Sequence, residues 1–291
     1  MYPEAGALEY SSKAPLVSRS LLLDGTAVDG TMVVVGERGH VFVSTDNGVT
    51  WKQADVPSRA TLTGVFFHDQ HLGWAVGHDQ VILKTHDGGR SWKQVYSSPE
   101  ADRPLLDVWF ADSLKGFAIR YVSQDDWHLN HIIKSDGGRL YIAAESGTIY
   151  RSDDGGESWI SLPSPYEGSF FGTLPLANNT MLLFGLRGNL FRSEDAGNSW
   201  TKIQTGTEAT LTAGIRLSDG TTIIVGLGGT ILVSRDGGHS FILRQEADRK
   251  GFSAILQASD NTLITVGESG VKKRSIDVLT RSSSSQGADA R

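Results

Sequence analysis

The 291-residue chain has no cysteine, which removes disulfides, thiolate nucleophiles and zinc–thiolate centres and leaves the compartment open. Long apolar runs are missing as well. The longest, such as Met32 to Val35 and Met181 to Phe184, are strand-sized, so none could cross a bilayer as a helix. There is no excess of basic charge: 27 Lys plus Arg against 33 Asp plus Glu give a net −6, and no global field favours nucleic acid or an anionic membrane. The start, Met1-Tyr-Pro-Glu-Ala-Gly, lacks the basic region and apolar stretch of a secretion signal. Apolar periodicity is absent from Arg281 to Arg291. A single domain is expected over residues 1–276, with 277–291 as a flexible tail.

What the chain does have is a repeat. Five segments align without gaps: Ser44-Thr-Asp-Asn-Gly-Val-Thr-Trp51, Thr85-His-Asp-Gly-Gly-Arg-Ser-Trp92, Ser152-Asp-Asp-Gly-Gly-Glu-Ser-Trp159, Ser193-Glu-Asp-Ala-Gly-Asn-Ser-Trp200 and Ser234-Arg-Asp-Gly-Gly-His-Ser-Phe241. Three of the four intervals between their aromatic ends are 41 residues and the other is 67. An alternating apolar strand precedes each box, and a Gly-rich turn after another strand precedes that (Gly36-Glu-Arg-Gly39, Gly185-Leu-Arg-Gly188, Gly226-Leu-Gly-Gly229). Each unit therefore reads as a four-stranded antiparallel meander.

Such units cannot bury both faces alone, so they close radially, and 291 residues accommodate seven periods. The predicted fold is an all-β, seven-bladed β-propeller with Asp-box turns, six blades being the alternative. The 67-residue interval predicts a truncated third blade: Trp109 and Gly116-Phe-Ala-Ile-Arg120 match its first two strands, and Ser123-Gln-Asp-Asp-Trp127 stands where the rest should be. The last unit lacks an outer strand, and Ala7-Leu-Glu-Tyr10 is expected to close the ring by pairing with it.

The boxes invite a catalytic interpretation because each carries an Asp. Repetition argues for structure instead, since a reaction needs one site and every blade needs a turn. The box Asp accepts turn amides, the Gly supplies backbone angles, and the aromatic ring packs between sheets. The structural set is Asp46, Gly48, Trp51; Asp87, Gly89, Trp92; Asp154, Gly156, Trp159; Asp195, Gly197, Trp200; and Asp236, Gly238, Phe241. No catalytic residue is assigned.

Function is therefore sought on the opposite face, formed by the turns between second and third strands and the connections between blades. These segments carry Glu37, Arg38, Arg59, His78, Asp79, Arg103, Arg120, Glu145, Tyr166, Glu167, Arg187 and Glu268, with Trp127 and His128 at the damaged blade. Their mixed charge suits a polar protein partner. Two His pairs, His68 with His71 and His128 with His131, have a spacing seen in metal sites. Residues three apart on a strand point to opposite faces, so no metal or other cofactor is expected.

Leu72-Gly-Trp-Ala-Val-Gly77 followed by Val81-Ile-Leu-Lys-Thr-His-Asp-Gly-Gly-Arg-Ser-Trp92, with echoes at Val33-Val-Val-Gly-Glu-Arg-Gly39 and Lys115-Gly-Phe-Ala, resembles the Ycf48-like photosystem II assembly and stability factors. The resemblance runs from about Leu21 to Ile276 and points to their bacterial, non-photosynthetic branch. It implies a non-enzymatic factor, exported to the lumen or, for this branch, the periplasm, that binds a membrane protein complex during assembly; by itself the chain is expected to be a monomer. A transporter of the resistance-nodulation-division type is the most concrete partner it suggests. The competing function is a glycan-binding protein or a glycosidase of sialidase-like architecture. It would assemble Arg38, Arg59 and Arg187 with Tyr166, Glu145 and Asp79.

Overall fold

A computed structural model describes residues 9–13, 16–101, 103–122, 127–258 and 262–276. Ala7 and Leu8, Ser123 to Asp126 and the proposed tail 277–291 lie outside the described residues. The chain folds as an all-β propeller whose sheets follow one another in sequence.

Sheet 1 contains β1 (Leu22–Val28), β2 (Thr31–Gly36), β3 (Val41–Ser44) and β4 (Lys52–Gln53). Sheet 2 has β5 (Leu62–Phe67), β6 (Gly73–Gly77), β7 (Ile82–Thr85) and β8 (Lys93–Tyr96). Sheet 3 is only a hairpin, β9 (Asp107–Phe110) with β10 (Gly116–Ile119). Sheet 4 has five strands: β11 (Tyr121–Val122), β12 (Trp127–Lys134), β13 (Leu140–Ala144), β14 (Ile149–Ser152) and β15 (Ile160–Ser161). Sheet 5 runs through β16 (Phe170–Pro175), β17 (Met181–Gly185), β18 (Leu190–Ser193) and β19 (Thr201–Ile203). Sheet 6 holds β20 (Leu211–Arg216), β21 (Thr222–Gly226), β22 (Thr230–Ser234) and β23 (Ile242–Gln245). Sheet 7 stops at three: β24 (Phe252–Gln257), β25 (Thr262–Gly267) and β26 (Gly270–Ser275).

The expectation of seven four-stranded blades is thus corrected. Among the described residues six sheets are blade-sized, and the hairpin β9–β10 sits between the second and the next. With no third or fourth strand among the described residues, the hairpin is filled by rings from both neighbours. Trp74 stacks on Phe110 at 3.6 Å, and Trp109 lies between Phe66 and Phe117, which meets Trp159 edge-on. Aromatic area substitutes here for two absent strands.

The inner strands β1, β5, β9, β12, β16, β20 and β24 touch in cyclic order, so the ring closes by packing of β24 against β1. Closure by an N-terminal strand is also corrected. Glu9 and Tyr10 are not in a strand. They lie beside Arg59, whose guanidinium donates to the Tyr10 carbonyl and faces Glu9. The chain then runs along the first blade: the Ser11 amide donates to Val56, Gln53 donates to the Ser12 carbonyl, and Lys13 pairs with Asp55. A 3-10 turn, Val17–Arg19, finally packs on β26, with Val17 against the cluster containing Leu256, Ile264 and Val266. The seam is strapped rather than zipped.

Candidate functional site

In all five boxes the hydroxyl before the Asp donates to its Oδ1 and accepts the amide of the box Gly, and the hydroxyl four residues after the Asp donates to Oδ2. Hydrogen bonds from Thr50 hold the Asp46 carboxyl down to about 2, and those from Ser199 do the same for Asp195. Both lie well below the ordinary carboxylate range near 4. A carboxylate so engaged is a strong acceptor and a poor proton donor. The box glycines press on the preceding sheet: a Cβ on Gly48 would meet Ile264, and one on Gly156 would meet Phe117.

The other face is built from the turns between second and third strands. Its middle residues Arg38, Asp79, Ser146, Arg187 and Gly228 all have φ between 51° and 63°. Glycine at 228 shows the relaxed choice. Arg38 and Arg187 keep large, exposed side chains in a conformation that costs a non-glycine residue on the order of 1 kcal/mol. His78 and Asp79 are exposed in the equivalent turn, and Arg103, Arg120 and Glu268 are exposed elsewhere on the same face.

Other predicted face residues are occupied locally. Glu37 accepts the Leu21 amide, and Glu145 accepts the amide and the ring Nδ1 of His128, the latter at 3.0 Å. Each thus caps the start of an inner strand. Tyr166 packs on Phe170 and Phe191. Arg59 holds the N-terminal segment. Trp127 is 39% exposed at the start of β12, where β11 pairs with residues 127 and 128 beyond the end of β13. That extra ladder projects a short hairpin from this face. The six residues a sialidase-like site would need are spread over turns and connections of different sheets, and Glu145 is engaged by His128 rather than by a second carboxylate. Among the described residues no three His, Asp or Glu side chains form a metal-binding group.

Sequence reasoning places an axial channel inside such a ring but missed the polar residues that line it: the channel, about 520 Å3, is lined by residues of all seven inner strands. Six of those strands carry a register shift near their start. The residues there reach across to the next sheet: Thr63 to the Leu105 carbonyl, Asn130 to Phe170 and Thr212 to Phe252. Just inside, Asp24 accepts the Val65 amide at 2.8 Å and Asp107 accepts the Ile132 amide at 2.9 Å. His131 Nδ1 accepts the Thr173 amide. Burial, reinforced by Asp107, pushes the Asp24 carboxyl well above the ordinary carboxylate range. Burial does the same to Asp107, against the pull of its amide partners. Burial lowers His131 to about 4, so it is neutral. The available signal was an acid inside an apolar inner strand, Leu22-Leu-Asp24 and again Leu105-Leu-Asp107.

Residues 43–112 match the family model described as photosynthesis system II assembly factor YCF48. The photosystem II stability/assembly factor HCF136 of Arabidopsis thaliana is 26% identical over 106 residues, covering 35% of this chain and 26% of that protein. The photosystem II assembly lipoprotein Ycf48 of Synechococcus sp. (strain CC9902) is 28% identical over 120 residues, 41% of this chain and 29% of its own. These matches thus span less than a third of either relative. Among solved structures, YCF48 bound to D1 peptide superimposes with TM-score 0.70 at 18% identity, covering 94% of this chain and 96% of that one. YCF48 from Cyanidioschyzon merolae gives 0.68 at 14% identity, over 91% and 98%. The WD40 propeller of Doa1 also reaches 0.70, at 12% identity over 92% and 95%, so the overlays speak for the propeller and the box-bearing sequence matches speak for the family. Together these make the chain similar to the Ycf48-like β-propellers, in sequence over part of its length and in fold over most of it.

Proposed function

We propose that this protein is a non-enzymatic assembly accessory that holds part of a membrane protein complex against the ring face opposite the Asp-boxes. The observation that carries the reading is the family likeness itself, whose named relatives are assembly factors for a membrane complex. The strained, outward Arg38 and Arg187 turns support the choice of face, because nothing in the fold requires arginine there. They act with Asp79, Arg103, Arg120, Trp127 and Glu268 as a mixed rim, in keeping with recognition by several modest contacts rather than one pocket. The cellular setting proposed is the periplasm, and the complex a transporter of the resistance-nodulation-division type. Domain 1–276 does the binding as a monomer.

The test is affinity capture from detergent-solubilised native membranes, using wild type and the Arg38→Ala/Arg187→Ala variant. Arg59 is left intact because it anchors the N-terminal segment. Recovery of one transporter or assembly intermediate with wild type, lost with the variant, supports the reading and the face. Equal recovery with both moves the site elsewhere, and recovery of no membrane protein with either overturns the accessory role.

A further inference from the structure

Four turns between second and third strands end on a residue whose carbonyl accepts the amide of the last residue of the second strand: His40, Val81, Thr148 and Asn189. Thr230 holds the matching place in sheet 6. Of these five only His40 can take a proton. It is 4% exposed, its ring centre lies 5.8 Å from that of Phe42, and neither ring nitrogen has a hydrogen-bond partner. Asn189, by contrast, returns its side-chain amide to the Leu186 carbonyl. A buried imidazole with no acceptor is at ease only when neutral.

The N-terminal segment lies against this position. A Cβ on Gly39 would come within 3.2 Å of the Ser11 side chain, and the Ser12 backbone is near enough to act on the imidazole. Alternate residues of a strand share a face, so His40 lies on the same side as Phe42, which pairs with Gln53 of β4. Gln53 donates to the Ser12 carbonyl, and Phe42 belongs to the cluster of sheet 1 and sheet 7 residues on which Val17 is seated. The imidazole thus sits where the first blade, the segment 9–13 and the seam with sheet 7 meet. Charged groups on the elements around it are Glu37 and Arg38 of its own turn, Glu9, Lys13 and Arg19 of the N-terminal segment, Asp55 and Arg59 after β4, and Glu268 and Lys273 of sheet 7. Glu37 accepts the Leu21 amide, Glu9 faces Arg59 and Asp55 pairs with Lys13, so these three carboxylates are already engaged.

We propose that His40 is an acid-operated release for the N-terminal segment: on taking a proton it detaches residues 9–13 and the Val17–Arg19 turn from the first blade and the seam, and uncovers the apolar seat of Val17.

Burial lowers the imidazole from its ordinary range near 6.5, Arg38 adding to the effect and Glu37 and Ser12 opposing it. The closed segment therefore favours the neutral ring. Its stability is complete above about pH 6.5 and is lost as pH falls below that value. His131 titrates in the same sense, towards about 4, but lies in the channel on β12. A local readout separates the two.

The chain has no cysteine, so Ser11→Cys, at a site 8% exposed, supplies a single thiol. Its labelling by a pyridyl disulfide, divided by the rate for the denatured chain at the same pH, measures opening of the segment. The normalised rate is expected to rise about tenfold from pH 7.5 to pH 5, within the roughly 30-fold limit that one ordinary histidine allows. With His40→Val added, copying Val81, it should change less than about twofold. If that variant does not fold, His40→Asn, copying Asn189, takes its place. An equal rise with and without His40, or no rise in either, overturns the release. Ala143→Cys, at a site 0% exposed in sheet 4, supplies a second single-thiol chain. It should stay slow at pH 5, and labelling of both sites at one rate would mean global opening and overturn the proposal as well.

Discussion

At the scale of single residues, the buried hydroxyl of an Asp-box matters as much as its carboxylate. Ser193 is 1% exposed, donates to Asp195 and accepts the Gly197 amide at 2.8 Å. Removing it strands a buried N–H, a larger penalty than the net worth of one hydrogen bond. Ser193→Ala is expected to cost about 1–3 kcal/mol in chemical denaturation. The box carboxylates also set the acid limit of the fold. With Asp46 and Asp195 held down to about 2 by hydroxyl and amide donors, their contribution is present above the ordinary carboxylate range and disappears as pH falls through 2. Asp195→Asn should therefore show less acid destabilisation between pH 4 and pH 2 than wild type, while sharing its behaviour near neutrality. Equal acid transitions would count against the box as the titrating group.

At the scale of the strand and turn, the Gly that ends each second strand is required by a close approach. A Cβ on Gly36, Gly77, Gly185, Gly226 or Gly267 would lie between 2.1 and 2.3 Å from a carbonyl oxygen just before the adjoining inner strand. That carbonyl accepts the amide of the following turn residue in all five sheets. Sheet 4 differs: Ala144 occupies the place because β12 continues straight past it into the ladder with β11. Gly185→Ala should consequently cost about 3 kcal/mol, whereas Ala144→Gly should cost no more than about 1. Comparable losses at both sites would mean that the close approach relaxes freely. This contrast also marks how far the sequence could be read. The turn glycines and boxes recur at a fixed period, so the meander, the propeller and the face division follow from local chemistry. The hairpin β11–β12 has no counterpart in any other repeat, and its two-residue ladder leaves no periodic signal. The rim residues could be placed on a face, yet which of them were already engaged depended on contacts such as Glu145 with His128 and Arg59 with Tyr10, which join different parts of the chain. Asp24 and Asp107 escaped because an acid in an apolar strand looks like a boundary until the ring brings two together.

At the scale of the whole molecule, a ring must resist opening at its weakest joint, and this one has two candidates. The gap at the two-stranded sheet is braced by stacked aromatics and by Asp107, which accepts the Ile132 amide of the next sheet. The meeting of sheet 7 with sheet 1 has no shared strand among the described residues. It relies on the packing of β24 against β1 and on the segment that crosses from Asp55 and Val56 to β26. Salt bridge Lys13–Asp55 is largely exposed and contributes little. The apolar seat of Val17 among Leu256, Ile264 and Val271 is the stronger part of the strap. Val17→Asp places a charge in that seat and should lower stability by about 2–3 kcal/mol. Its location, more than its size, is what distinguishes a strap from ordinary core packing. Hydrogen exchange should accelerate first in β1 and β24 to β26, on both sides of the seam, while amides of β17 and β18 across the ring keep their protection until global unfolding. If protection falls uniformly around the ring, the propeller opens as one cooperative unit and the N-terminal segment is not what holds it shut.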